Sequence, residues 1–237
     1  MRLSRRIYDI CDCVSQGESV ADIGTDHGYV PMVLLKKAVI NHAIMSDISE
    51  GSLAKAVETF DLAGLTADAG CFRVGDGLKT VKASEVDDII IAGLGGHTIV
   101  DILREDIDKS KSFRKLILQP RKHSGFLRYF LYVNGWDIAE EKLSPEGKFV
   151  CEIIVAVPSE TSSREALYSE DDIRWAYPLT LKNADRTLLE KKVSWKLNSI
   201  LEQINNLDNS RSGKDRIEDL KNNYNYLKEL IEKHEEA

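Results

Sequence analysis

The stretch Val20-Ala21-Asp22-Ile23-Gly24-Thr25-Asp26-His27-Gly28-Tyr29-Val30-Pro31 decides how the rest of the chain is read. A short strand-like run passes into a loop with two glycines. A helical pattern follows, with Pro31 in its first turn, where proline is tolerated. Strand, glycine loop and helix in that order open a βαβ unit, and in such sheets ligands lie beyond the carboxyl ends of the strands. Gly24 and Gly28 lack a Cβ and let the backbone pass close to a ligand.

Working outward, strand-like runs recur at Ala43–Ser46, Cys71–Val74, Asp88–Ala92, Lys115–Leu118, Trp136–Leu143 and Phe149–Val157. Between the first of these lie helical patterns at Pro31–Lys37, Glu50–Ala63, His97–Leu103 and Gly125–Val133, with a short turn near Leu78. Alternating strands and helices predict a mostly parallel sheet. Ile89-Ile90-Ile91-Ala92 suits a central strand buried on both faces. Ser144-Pro145-Glu146-Gly147 reads as a tight turn between two antiparallel strands. Five parallel strands closed by a hairpin are the inventory of an α/β, class I (Rossmann-like) methyltransferase with a seven-stranded, mostly parallel sheet.

The periodicity changes after the polar segment Ser159–Ser163. Val193, Leu197, Ile200, Ile204 and Leu207 fall at spacings of 4, 3, 4 and 3, and Ile217, Leu220, Tyr224, Leu227 and Ile231 at 3, 4, 3 and 4. Asp208–Gly213 reads as the turn between them. Two such seams predict a C-terminal antiparallel helical hairpin, coiled-coil-like, with packing onto the main body as the simpler alternative. The expected organisation is a cofactor-binding domain over residues 1–158 and a helical arm over 159–237.

The 237 residues are 43% hydrophobic and 30% charged, with 32 Lys+Arg against 39 Asp+Glu. The net charge of −7 excludes a generally basic protein but not a nucleic-acid ligand, which follows local clusters of cations. Cys11, Cys13, Cys71 and Cys151 form no CxxC pair, so no metal site is expected, and sparse cysteine fits a reducing compartment. The start of the chain lacks the apolar core of a signal peptide, and no run approaches the ~18 apolar residues of a membrane span. A cytoplasmic protein with no membrane partner is expected.

The chemistry lies in acids at successive strand ends: Asp22, Asp47 and Asp76. Asp47 is placed to accept from two ribose hydroxyls, a role common to NAD and S-adenosylmethionine sites. Asp76, in Gly75-Asp76-Gly77, suits the exocyclic amine of an adenine. An acid-lined pocket favours a sulfonium and an ammonium and repels a pyrophosphate. The fingerprint G-x-G-x-x-G fails, because Asp26 stands where its second glycine belongs. Any one of these acids alone reads more simply as a cap or turn residue; the three together favour a cofactor site.

Ala21–Pro31, Gly75-Asp76-Gly77-Leu78, Ile91-Ala92-Gly93-Leu94-Gly95-Gly96 and Leu118-Gln119-Pro120 resemble the TrmK family, bacterial tRNA (adenine(22)-N1)-methyltransferases. The likeness spans the catalytic domain, and the helical hairpin matches the family's coiled-coil arm. It implies S-adenosyl-L-methionine as cofactor and methyl transfer to N1 of an adenine in the D-arm region of tRNA. Ala92-Gly93-Leu94-Gly95-Gly96 also replaces the Asp/Asn-Pro-Pro-aromatic loop of amino-methylating enzymes. That fits an acceptor nitrogen from which no proton need be removed.

The candidate cofactor set is therefore Asp22, Gly24, Gly28, Asp47, Ile48, Asp76, Gly77 and Gly93. Asp26 is expected to stabilise the cationic product, His27 to orient the base and Tyr29 to stack on it. Against these stand a turn histidine and a buried aromatic. His97 reads equally as a helix cap or a catalytic group. Dense cations occur at Arg2, Arg5 and Arg6 and again from Lys109 to Arg128. Arg5, Arg6, Arg121, Lys122, Arg211 and Lys214 are the expected substrate contacts, with a solvated surface as the default alternative. A monomer is expected. The rival readings are a regulatory protein that binds the cofactor without catalysis, and a methyltransferase for a small molecule or protein whose arm dimerises.

Overall fold

The computed structural model describes residues 3–178, 180–181, 184–207 and 211–232, leaving out the side chains of Ala69 and of residues 211–213. Its order of elements is α1 (Arg5–Cys11), β1 (Val20–Ile23), α2 (Tyr29–Lys36), β2 (Ala43–Asp47), α3 (Glu50–Ala63) and β3 (Phe72–Val74). Then come β4 (Asp88–Leu94), α4 (Gly96–Glu105), α5 (Ile107–Lys111), β5 (Lys115–Pro120) and α6 (Ser124–Val133). The chain closes with β6 (Trp136–Glu146), β7 (Phe149–Pro158), α7 (Ile173–Ala176), α8 (Arg186–Asn206) and α9 (Arg211–Glu232).

The strands form one sheet in the order β3-β2-β1-β4-β5-β7-β6. β7 runs antiparallel to both neighbours and the remaining pairs are parallel. This is the mostly parallel seven-stranded sheet expected from the sequence. Its centre is sealed on both faces. Ala21, Ile23, Ile89, Ile91, Leu116 and Leu118 pack into one core, while Val20, Ile90, Ile117, Ile153 and Val155 pack into the other. Ile89, Ile90 and Ile91 are fully buried, each stabilising the fold by about 1.5–3 kcal/mol.

Two helices escape the sequence reading. α1 packs beneath the second core through Ile7, Ile10 and Cys11. α5 is a short turn capped by Asp106, which accepts from the Lys109 amide at 3.0 Å. The expected Ser144–Gly147 turn is also displaced. Ser144, Pro145 and Glu146 belong to β6, and Gly147-Lys148 alone make the turn, with Gly147 at φ +58°. Pro145 is admissible inside that strand because β6 is the sheet edge, where a missing N–H costs no ladder bond.

The C-terminal helices form a hairpin, but helix α9 already begins at Arg211, so part of the expected Asp208–Gly213 turn is helical. Leu189, Val193 and Ile200 face Leu220, Leu227 and Leu230. Leu143, Val150 and Ile173 join the same cluster, so the base of the arm is docked on the β6–β7 hairpin as well as closed on itself. A buried charge network fastens it there. Glu152 accepts from Arg128 at 2.6 Å, from Lys192 of α8 at 2.6 Å and from Ser124 at 2.8 Å. Arg128 also donates to Glu141 at 2.6 Å. Against the cost of burial, Lys192 and Arg128 hold Glu152 down at about 2. Arg128 belongs to the cation run for which phosphate contact or a solvated surface is expected from the sequence, yet it is 1% exposed.

At the opposite, amino-terminal edge of the sheet, Lys115 lies 2.7 Å from Glu18 and 3.3 Å from Asp88. Burial, with Glu18 beside it, pushes Asp88 up to about 7. An acid whose pKa is raised on folding binds its proton more tightly in the folded state. Stability therefore falls as pH rises from about 4 to about 7. Asp22, pushed up to about 6 by burial, acts in the same direction. Urea unfolding of the wild type should show declining stability from pH 5 to 7, by up to about 1.4 kcal/mol per pH unit for each of these two acids while it remains protonated. In Asp88→Asn the decline between pH 6 and 7 should largely vanish; an unchanged profile would remove Asp88 as its source.

Candidate functional site

The carboxyl ends of β1, β2, β3 and β4 open onto a cleft of about 600 Å³. Asp22, Gly24, Asp26, His27, Tyr29, Asp47, Ile48, Asp76, Gly77 and Gly93 all line it, as do Arg6 and Arg121. Thr25, Leu94, Thr98 and Ile102 also belong to the wall.

The acids have different surroundings. Asp22 is buried and accepts from the Thr25 hydroxyl at 2.6 Å. Burial raises its pKa, the Thr25 hydrogen bond opposes the rise, and Asp47 adds to it. Asp47 ends β2 and accepts from the amides of Ser49 at 2.9 Å and Asp26 at 3.3 Å. These bonds fix the carboxylate and leave lone pairs for further donors. Asp76 is exposed and meets Lys79 at 3.0 Å. Beside Asp47, Ile48 is 74% exposed on the cleft wall, an open apolar face suited to a flat base.

The loop itself is held by conformation. Gly24 sits at φ +74° and donates its amide to the Ser46 carbonyl at 2.8 Å, turning the chain over the end of β2. Gly28 does not line the cleft. It precedes α2 at φ +65°, and a Cβ there would meet the Cβ of Ala56 at 3.1 Å and the Phe60 ring at 3.3 Å. Its absent side chain lets α2 close on α3, so the expected ligand approach is replaced by helix packing.

At the cleft mouth Asp26 has φ +47° and pairs with Lys55 of α3 at 2.8 Å, with His27 3.7 Å away. The Lys55 hydrogen bond holds the Asp26 carboxyl below its ordinary range. The His27 and Tyr29 rings are stacked, with centroids 4.9 Å apart and planes 4° from parallel.

The cations divide. Arg6 reaches the cleft on α1, where it donates to Gln119 at 3.0 Å and to Glu146 at 3.1 Å. Gln119 in turn accepts from the Gly93 amide at 3.1 Å. Arg121 lines the rim. Arg5 is outside the cleft wall, its exposed side chain paired with the buried Asp9 at 2.7 Å. Lys122 is exposed outside the wall, its carbonyl accepting from Gly96. Lys214 is exposed near the start of α9, far along the chain from the cleft, and the side chain of Arg211 lies outside the described residues, as does Arg2. Arg114 and Lys115 sit at the amino-terminal edge of β5, away from the cleft. His97 packs on His123 and Phe126 with centroids 4.4 and 4.3 Å away, an aromatic cluster outside the cleft wall. Among the described residues no group of three or more His, Cys, Asp or Glu gathers as a metal site, and no helix is long and apolar enough to cross a membrane.

Lys55, Thr25, Gln119 and Thr98 were not singled out from the sequence. Thr25 was legible, three residues from an acid it can cap. Gln119 lies in the Leu118-Gln119-Pro120 motif, without a role assigned to it there; Lys55 and Thr98 reach the site from elements distant in sequence, and no local pattern marks them.

A doubly wound sheet of this strand order, with acids at three consecutive strand ends around one cleft, defines a class I methyltransferase. Residues 3–154 match the family model described as a methyltransferase domain. The chain is 31% identical over 241 residues to the tRNA (adenine(22)-N(1))-methyltransferase of Bacillus subtilis, covering 98% of each protein. The crystal structure of B. subtilis TrmK superposes with a TM-score of 0.76 at 29% identity, covering 97% of this chain and 99% of that one. A Streptococcus pneumoniae protein solved in complex with S-adenosyl-L-methionine gives a TM-score of 0.79 at 26% identity, covering 97% of this chain and 100% of that one. The chain belongs to the TrmK family of tRNA (adenine-N1)-methyltransferases.

Asp47→Ala removes a charged acceptor from the cleft, each such hydrogen bond contributing ~1.5–3 kcal/mol. Affinity for S-adenosyl-L-methionine should fall at least tenfold by calorimetry with the melting temperature nearly unchanged. An unaltered affinity would take Asp47 out of the cofactor site.

Proposed function

We propose that the chain transfers a methyl group from S-adenosyl-L-methionine to N1 of an adenine in tRNA, position 22 in the family to which it belongs. The observation that carries this reading is the convergence of Asp22, Asp47 and Asp76 on one cleft with Asp26, His27 and Tyr29 at its mouth. The donor set fits the cofactor. Asp22 suits the ammonium, Asp47 the ribose hydroxyls and Asp76 the adenine amine, with Ile48 and the Gly24, Gly77 and Gly93 backbone as walls. When bound, the cofactor supplies an electrophilic methyl group on a sulfonium.

The protein's own task is then alignment and charge. Adenine N1 carries a free lone pair, so no residue need remove a proton before transfer. N1 lies on the Watson–Crick edge, and the base must be taken out of its stack at a cost of a few kcal/mol. The parallel His27–Tyr29 pair offers that base a new stacking surface. Asp26, held ionised by Lys55, places a fixed negative charge where the methylated ring becomes cationic. Arg6 and Arg121 bring positive charge to the cleft, and Arg5 and Lys122, outside its wall, are proposed as phosphate contacts farther along the RNA. The arm, residues 159–237, is the second contact with tRNA, through Arg211 and Lys214 at its tip. The enzyme acts as a monomer in the cytoplasm and uses no metal.

Incubation with unmodified bulk tRNA and labelled cofactor should yield N1-methyladenosine; no transfer to RNA would overturn the reading. Asp26→Asn should keep cofactor affinity and lower the single-turnover rate roughly 10- to 100-fold. A rate near wild type would reduce Asp26 to a loop residue. Charge reversal of Lys214 and of Arg216, exposed two positions further along α9, should flatten the salt dependence of tRNA binding by about one unit of slope per lost phosphate contact. An unchanged slope would leave the arm without a role in RNA binding.

A further inference from the structure

Single exposed apolar side chains are ordinary; two large aromatics left half in water and in mutual contact are not. Phe149 is 53% exposed and Trp195 47% exposed, and their rings meet edge to face with centroids 5.8 Å apart. They come from different parts of the molecule, Phe149 from the start of β7 and Trp195 from α8. The Lys148 ammonium stands 5.2 Å over the Phe149 ring.

Register places this pair at the cleft end of the sheet. β7 is antiparallel to β5, with Ala156 opposite Leu116 and Ile154 opposite Leu118, so β7 starts where β5 ends. Phe149 pairs across the hairpin with Glu146, and Glu146 accepts from Arg6, a residue of the cleft wall. The acids of this hairpin end are already neutralised, Glu146 by Arg6 and Glu152 by Arg128 and Lys192. Lys148 is exposed and adds positive charge. An aromatic surface with an adjoining cation suits a nucleobase and its phosphate, because every base has a face to stack. Taking an adenine out of its stack also leaves its neighbour without a stacking partner.

We propose that Phe149 and Trp195 form a stacking platform for an unpaired base of the RNA substrate adjoining the adenine that enters the cleft, with Lys148 at its phosphate. The proposal rests on the reading of the chain as a tRNA methyltransferase and adds a subsite to it.

Trp195 is a built-in reporter, since Trp136 and Trp175 are 1% and 8% exposed. Saturating tRNA should protect tryptophan fluorescence from iodide, and Trp195→Phe should remove the protected component. Phe149→Ala and Trp195→Ala should each raise the KM for tRNA roughly 5- to 100-fold, with kcat and cofactor affinity held. Trp195→Phe, which keeps a stacking face, should stay close to wild type in KM. If the pair only glues the arm to the sheet, Trp195→Ala lowers the melting temperature while tRNA leaves iodide access unchanged, and the platform is overturned. Protection that grows with protein concentration in the absence of RNA would give the surface to a second copy and overturn it too. A wild type that makes no N1-methyladenosine sinks the methyltransferase reading. A wild type that makes it, with KM unmoved in both alanine variants, sinks the platform alone.

Discussion

A parallel sheet sealed on both faces has no room for chemistry within its strands. Ile89, Ile90 and Ile91 turn alternately into the two cores and are fully buried, and β1 beside them is buried along its length. An unpaired polar group at such positions costs several kcal/mol. Functional side chains are therefore displaced to the ends of the strands, where the backbone turns and water or a ligand can reach them. Even there, burial raises the pKa of Asp22, and the Thr25 hydrogen bond and the charge of Arg6 oppose the rise. The position of the cleft follows from this sealing.

The cleft is more than a row of strand ends. Gln119 accepts from Arg6 of α1 and from the Gly93 amide after the core of β4, so three elements meet at one carboxamide. Asp47 holds the loop after β1 through the Asp26 amide and its own loop through Ser49. The walls are cross-braced, and the site is a property of several loops at once.

How much of this was legible depends on the range of the interaction. Asp22, Gly24, Asp47 and Asp76 announce themselves because strand, turn and acid are neighbours in sequence. The helical hairpin announces itself through the repeat of its apolar positions. Arg6 is expected from the sequence as a substrate contact, but its tie to Gln119 spans more than a hundred positions and α1, which carries it, has no local signal. Lys55 meets Asp26 because α3 folds back over the loop. Gly28 carries the same signal as Gly24, yet it serves the packing of α2 on α3, a distinction that depends on where Phe60 lies. Pro145 was read as a turn because edge position cannot be seen before the strand order is known. Local chemistry is written in the sequence, and long-range partnership is not.

The charges beneath the arm carry a different implication, for how this protein can change over evolutionary time. Arg128, Glu141, Glu152 and Lys192 balance only as a set, and Arg128 is closed off from solvent. Loss of Arg128 or Glu152 strips a buried charge of its counterion, at a cost of about 3–5 kcal/mol, and loss of Lys192 or Glu141 leaves the set one charge out of balance. These four positions are thus constrained to drift together. An arm grafted from a homologue would have to bring its own lysine to this carboxylate, or find an apolar seat prepared for it.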